Sequence, residues 1–394
     1  MKHLLFFVIV TFFLYSCSNS KTRSIDKEDL PIDNINIQNI NIKLTDSAFR
    51  HVDNLLHTKS YTILSNDEPL GIVERIIIED SLIYILDNMP KIVCFNKKDG
   101  SIKWKINNRG EGPEEYGEII DFTIDRTSKQ LIAYDGGKRR LTKYDLLSGE
   151  YISSTTIYDI IPKQIAFANN GIFFDNHDHM NYPDKKELHY SLLYTKTGSK
   201  MNKSFFPHDK VSDYNFNYGD GHPFFYEQNR ILYNPRFSNI VFEIIPEGLT
   251  PLYKINLPDS LPLKIIEEGI SPHKLIESNY SWGISNIFEC SNILYFWFTK
   301  NGRYYTVFYN LQNNKLIYGG NRVSNIPTKD LLVYYPISGV HNDTFFSLVE
   351  PFTIIEKREI APDLFPKNLM KVKEEDNPVL FFYKPVHNSF TVYQ

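Results

Sequence analysis

Four short segments, YILDN, IAYDG, FFDN and LYNP, each end a strand-like run on Asp or Asn, at Asp87, Asp135, Asp175 and Asn234. The runs are rich in β-branched and aromatic residues, which suit a pleated, half-buried surface. Asx residues suit the hairpin ends because their side chains bond their own backbone and tolerate unusual φ/ψ. Around these marks a module of four strands and polar turns recurs. The first predicted unit is 73–78, 82–86, 91–95 and 101–106, and the second is 119–124, 130–134, 140–144 and 150–157. The third reads 163–168, 171–174, 190–195 and 200–206, and the fourth 223–226, 230–233, 239–244 and 251–257. The fifth reads 284–288, 293–298, 304–309 and 315–318, and the last 331–337, 344–349, 352–356 and 378–383. Five repeats separate Asp87 from Glu350, a period of about 53 residues, long but suited to four-stranded blades. An all-β fold follows: a six-bladed β-propeller of four-stranded antiparallel blades. A sandwich has no need of so many copies, and solenoid repeats are usually shorter. The ring has to close, and Tyr61–Leu64 is placed to complete the last blade beside Pro378–Tyr383.

The first residues belong to something else. Lys2 precedes Leu4–Tyr15, apolar apart from Thr11, a stretch suited to a signal-peptide core and too short to span a bilayer. It ends in Leu14-Tyr15-Ser16-Cys17, which resembles a bacterial lipobox. Lipidated Cys17 would anchor the mature chain to a membrane without a transmembrane helix. The organisation expected is a signal peptide over 1–17, a tether over 18–45 and a propeller over 46–394. The tether turns strand-like at its end, and Asp46–Leu56 carries one short helix with Phe49, Val52, Leu55 and Leu56 on one face. Cys94 and Cys290 are expected as small core or turn residues. A formal charge of −4 supplies no basic field, so nucleic acid is not an expected partner.

The segments YTIL, GIVERIIIEDSLIYILD, FNKKDGSIKWKI and RGEGPEEYGEIIDFTID carry a family resemblance. The chain resembles the six-bladed β-propeller lipoproteins, relatives of NHL-type propellers found behind lipoprotein signals in Gram-negative bacteria. The likeness is strongest over 40–150. The family's G-x-G-P-x-E-Y signature falls on Gly110, Gly112, Pro113, Glu115 and Tyr116. The resemblance implies a fold and an address, the cell envelope, and residues 18–23, which lack the acidic cluster of some surface-export signals, favour a lipid anchor in the outer membrane facing the periplasm. It implies no reaction and no catalytic residues.

Propeller topology sorts the loops by face. Hairpins between second and third strands share one face with the crossovers between blades, and these are the longest loops. Six of the twelve arginines fall on or beside them: Arg109, Arg139, Arg140, Arg236, Arg303 and Arg322. Guanidinium forks bind carboxylate, sulfate or phosphate bidentately, so this face is a candidate for an anionic ligand. With Glu115 and Tyr116 from the signature, Arg109, Arg139, Arg236, Arg303 and Arg322 form the expected ligand-binding set. Exposed loops also tolerate arginine for no reason beyond solubility. The stretch NHDHMNYPDKKELH sets His177, His179 and His189 among carboxylates, a weak metal candidate whose spacing matches no zinc motif. Tyr214, Phe216 and Tyr218 alternate in DYNFNY and suit sugar stacking or a packed lid.

The chain contains no G-x-S-x-G elbow, P-loop, H-E-x-x-H or Rossmann fingerprint. The expectation is a non-catalytic envelope lipoprotein whose loop face binds a glycan, a peptide or a partner protein, with no cofactor. The alternative is a propeller enzyme, a lactonase-like hydrolase or polysaccharide lyase, with acids, histidine and a divalent cation at the central channel.

Overall fold

The computed structural model describes residues 37–44, 55–157, 160–176, 189–198, 200–207, 222–227, 230–246, 248–268, 270–321 and 330–386. The described chain begins with β1 (Gln38–Asn41) and β2 (Leu56–Ile63). Blade one is β3 (Val73–Glu79), β4 (Leu82–Asp87), β5 (Ile92–Asn96) and β6 (Ile102–Ile106). Blade two is β7 (Ile119–Asp125), β8 (Gln130–Asp135), β9 (Arg140–Asp145) and β10 (Tyr151–Thr156). Blade three is β11 (Gln164–Ala168), β12 (Gly171–Asp175), β13 (Tyr190–Thr195) and β14 (Lys203–Pro207). Blade four is β15 (Phe224–Tyr226), β16 (Ile231–Tyr233), β17 (Ile240–Ile245) and β18 (Gly248–Asn256). Two short helices, α1 (Leu263–Glu268) and α2 (Pro272–Glu277), lead into blade five. That blade is β19 (Ser281–Cys290), β20 (Ile293–Lys300), β21 (Arg303–Asn310) and β22 (Lys315–Asn321). Blade six is β23 (Gly339–His341) and β24 (Thr344–Val349), then helix α3 (Pro351–Ile360) and β25 (Val379–Pro385).

Six sheets thus form a six-bladed propeller, and the expected strand rhythm holds through blades one to five. β2 pairs antiparallel with β25, from Leu56 opposite Pro385 to Ile63 opposite Val379. An N-terminal strand therefore closes the ring against the C-terminal blade, which removes the edge an open ring would leave. Burial follows from the stacking of blades. β4 and β20, covered on both faces by neighbours, are buried at every position, whereas outermost β10 is mostly exposed or half-exposed. The core lies between blades: Tyr84 and Trp104 of blade one cluster with Phe122 and Tyr144 of blade two, and Tyr295 of blade five packs against Phe345 of blade six. Cys94 and Cys290 are free and buried in it, and burial pushes both thiols up to about 12.

Three details differ from expectation. Residues 352–356 lie in α3, which begins with Pro351 at its first turn, where a missing N–H costs nothing. Residues 331–337 form no strand. The Tyr334 and Ile337 amides donate to the Tyr383 and Tyr295 hydroxyls instead of to a ladder, and the inner strand is the short β23. The end of the tether is β1, which pairs parallel with β18 and gives blade four a fifth strand. Ile40 and Ile42 are buried there, and the Gln38 amide donates to Leu311 O and Asn314 Oδ1 of blade five. The helix expected over Asp46–Leu56 falls mostly outside the described residues, and its last residue, Leu56, opens β2.

Candidate functional site

The G-x-G-P-x-E-Y signature is the crossover from blade one to blade two. Tyr116 N donates to Asn108 O and Gly110 N to Tyr116 O, which pinches the loop at its base. Glu115 folds back so that its carboxylate accepts the Gly112 amide at 2.7 Å. A Cβ on Gly110 would stand 2.1 Å from Glu115 Oε2, so this fold-back requires glycine. Two cations of the neighbouring hairpin hold the loop's carbonyls. Lys138 Nζ reaches Gly112 O at 2.9 Å and Glu115 O at 2.8 Å. Arg140 reaches Pro113 O at 2.8 Å and also donates to Glu115 O. Buried Asp135 completes the assembly by accepting from Gly117 N, Glu118 N, Lys138 N and Arg140 Nε. Asp87 binds the Gly71 and Met89 amides in blade one in the same manner. In blades one and two the Asp at the end of the second strand is thus a latch between its hairpin and the preceding crossover.

These contacts decide what the signature side chains face. The Tyr116 ring lies in the core, where burial pushes its hydroxyl up to about 12, and the Glu115 carboxylate is turned onto its own loop. Arg109, Arg139 and Arg303 are exposed, in the first crossover and in the hairpins of blades two and five. Arg236 is half-buried over the Phe237 ring in the hairpin of blade four. These arginines share a face by topology, but none of them lines the axial channel. Arg322, His177, His179, Cys17 and the Tyr214–Tyr218 loop lie outside the described residues. His189 is half-buried immediately before β13.

The axis is asymmetric. Inner strands β7 and β11 are tied side by side: Asp121 Oδ2 accepts Ile165 N at 2.8 Å, and Thr123 Oγ1 accepts Phe167 N at 2.9 Å. Tyr226 of β15 reaches across to this pair, its hydroxyl 2.8 Å from Thr123 Oγ1 and donating to Ile165 O. The remaining channel, about 400 Å³, is walled by the inner strands of blades one, four, five and six. Ile76, Phe224, Phe288 and Val340 supply apolar wall, while Arg75 and His222 stand among the polar groups.

Arg75 is the unusual group. It is 5% exposed, stacks with Cζ 4.7 Å from the Tyr226 ring centroid, and has Nε 3.6 Å from Asp121 Oδ1. That separation makes an ion pair but no hydrogen bond, and its Nε and Nη2 have no hydrogen-bond acceptor among the described residues. Burial raises Asp121 to about 6, against the pull of Arg75. His222 sits 2.7 Å from Glu74 O through Nε2; a carbonyl only accepts, so Nε2 carries the proton. Burial, with the Arg75 charge beside it, pushes this ring down to about 3 and keeps it neutral, its Nδ1 a bare acceptor. Four more acids line the channel, Glu74, Glu79, Asp80 and Glu227, and two of them are paired. Glu79 accepts from Arg126 at 2.6 Å, and Glu227 is bonded to Arg230, which also holds Glu289. Among the described residues no three His, Cys, Asp or Glu side chains come together as a metal site would need.

Residues 65–384 match the family described as "Domain of unknown function (DUF4934)". The chain belongs to this family. No curated protein matches its sequence. Among solved structures, a Bacteroides fragilis NCTC 9343 protein that bears the name of an exported protein is similar at a TM-score of 0.73. The identity is 17%, with 89% of this chain and 100% of that chain covered. A DUF4221 family member from Bacteroides vulgatus ATCC 8482 is similar at a TM-score of 0.49 and 13% identity, covering 85% of this chain and 99% of that one. Likeness at such identity speaks for the fold of this DUF4934 protein alone.

Sequence reasoning searched the loops and so passed over Arg75, Asp121 and Tyr226. Each is the third residue of an inner strand, β3, β7 and β15 respectively. Aligning the inner strands of the six units and looking for polar side chains at that place would have found them.

Proposed function

We propose that this DUF4934 protein is a lipid-anchored envelope protein whose propeller binds a glycan or peptide ligand at the crossover-loop face and its axial channel, without catalysis. The observation that carries this reading is the channel itself: about 400 Å³, within the roughly 300–1,000 Å³ of small-molecule sites, with a buried guanidinium in its wall. The engagement of Asp121, Glu79 and Glu227 with cations and backbone amides supports a binding wall at those positions over a proton-transfer site. The exposed Arg109, Arg139 and Arg303 lie on the face through which a ligand would approach.

The test is a thermal-shift panel of mono- and disaccharides and dipeptides on the purified chain, alongside a Val340→Trp variant that fills the channel. Stabilisation of the wild type that disappears in Val340→Trp is the expected result. Turnover of a lactone, or release of an unsaturated product from an acidic polysaccharide, with calcium or zinc added would favour the hydrolase or lyase instead. For the anchor, labelling of cells with radioactive palmitate should mark the wild type and not Cys17→Ser.

A further inference from the structure

Resting on that binding reading, one wall of the channel carries a side chain that the fold itself does not use. Two register shifts bend β19, one between Trp282 and Ser285 and one between Ser285 and Phe288. Within the second, Asn286 has a φ of +51°, in the left-handed region, and no other non-glycine residue of a described inner strand does. Bulges of this kind re-aim side chains, and Asn is among the few residues that accept such a backbone. Ile287 is fully buried in the core, while Asn286 and Phe288 on either side of it line the channel. Asn286 is half-buried, and its carboxamide bonds to no described residue. In turns such a residue commonly bonds its own backbone; here the amide is left to the channel.

The charges of the wall narrow the choice of occupant. Arg75 faces Asp121, Arg126 holds Glu79, and Glu227 is bonded to Arg230. Glu74, where β3 begins, and Asp80, in the turn that follows it, line the channel and pair with no described cation. Burial, Asp87 and Glu118 all raise the Glu74 carboxyl above its ordinary value, so the field at that mouth is negative. His222 and His341 are held neutral and do not offset it. A carboxamide offers a donor and an acceptor side by side, the complement of a peptide group. Phe224, Phe288 and Phe346 supply apolar wall for aliphatic side chains.

We infer that the channel binds a short basic peptide, with a main-chain amide on the Asn286 carboxamide and the cationic side chain toward Glu74. Asn286 is then the specificity-determining residue of the site, and Glu74 selects the charge of the ligand. An acidic peptide meets repulsion from Glu74 and Asp80, and a neutral sugar leaves Glu74 unanswered.

The experiment is isothermal titration calorimetry of the full chain with three tripeptides blocked at both ends. Their central residue is lysine, glutamine or glutamate, and alanine flanks it. The lysine peptide is expected to bind about threefold or more tightly than the glutamine one, the difference an ion pair at an exposed carboxylate supplies, and the glutamate peptide most weakly. Glu74→Gln should erase the preference for lysine. Asn286→Gly keeps the left-handed backbone and removes the carboxamide, so it should weaken the lysine peptide about tenfold and leave the thermal midpoint little changed. If that variant does not fold, Asn286→Asp accepts the same φ, exchanges the donor for an acceptor, and should weaken the uncharged glutamine peptide about tenfold. Affinity that the Asn286 variants leave unchanged, a glutamate peptide that binds as tightly as the lysine one, or no binding of any of the three to the wild type would each overturn the inference. The underlying channel reading is judged separately with Val340→Trp. A sugar whose binding that variant abolishes, where no peptide binds, leaves the channel reading standing while the basic-peptide class falls. Probe binding that survives Val340→Trp overturns the channel reading itself.

Discussion

Arg140 offers a direct test of what the G-x-G-P-x-E-Y corner is for. Replacing it with Met keeps the aliphatic stem and removes the guanidinium. Lost with it are the Nε contact to Asp135 at 3.2 Å, the Nη1 bond to Pro113 O at 2.8 Å and the bond to Glu115 O. Both partners of the ion pair are buried, Arg140 at 9% and Asp135 at 0% exposure. Breaking one side of such a pair costs on the order of 3–5 kcal/mol. Asp135 would keep the Gly117, Glu118 and Lys138 amides, so the lower end, about 3 kcal/mol, is expected. Lys138→Met removes bonds to two carbonyls, one of which Arg140 also serves, and should cost only about 1 kcal/mol. Urea denaturation monitored by tryptophan fluorescence measures both, provided the slope with denaturant is unchanged. An Arg140→Met cost below about 1 kcal/mol, or one no larger than that of Lys138→Met, would refute the view of this corner as a cation-held latch.

Two further outcomes follow from the wall of the propeller. Ile40→Ala, in the added strand β1, should cost about 2–4 kcal/mol by chemical denaturation because the side chain is fully buried against blade four. Burial, reinforced by Lys97, holds His341 at about 4 instead of the ordinary 6.5, and Asn342 Nδ2 donates to its Nε2. The unfolded chain therefore takes this proton first as pH falls. The stability His341 contributes is complete above about 6.5 and is lost as pH drops toward about 4. The thermal midpoint of the wild type should fall more steeply across that window than that of His341→Gln, and equal slopes would contradict this.

Much of the fold was legible because propeller blades repeat their physics. Each hairpin end needs a residue that binds its own backbone, and Asp87 and Asp135 announce that need. Blade six was harder to read. LLVYYPI at 331–337 has strand composition, yet its backbone is satisfied by tyrosine hydroxyls from Tyr295 and Tyr383, contacts far away in sequence. FTIIE at 352–356 has strand composition, but Pro351 before it and the Glu-Lys-Arg-Glu run that starts at Glu356 are helix signals. The loops drew attention to arginines because exposed charge is conspicuous. Arg75 was inconspicuous in VERIIIED, since it stands beside Glu74 ahead of an Ile run, where a charged pair reads as a solvent-facing strand end. Only the ring geometry turns that position inward, beside Asp121 of the next blade and Tyr226 of the fourth.

The most direct test of the channel as the binding site is a crystal structure of the chain grown with a saccharide or dipeptide that raises its thermal midpoint. The account predicts that ligand within the axial channel, between the inner strands of blades one, four, five and six. A ligand bound only on the outer loops, at Arg109, Arg139 or Arg303, with the channel left to solvent, would contradict it.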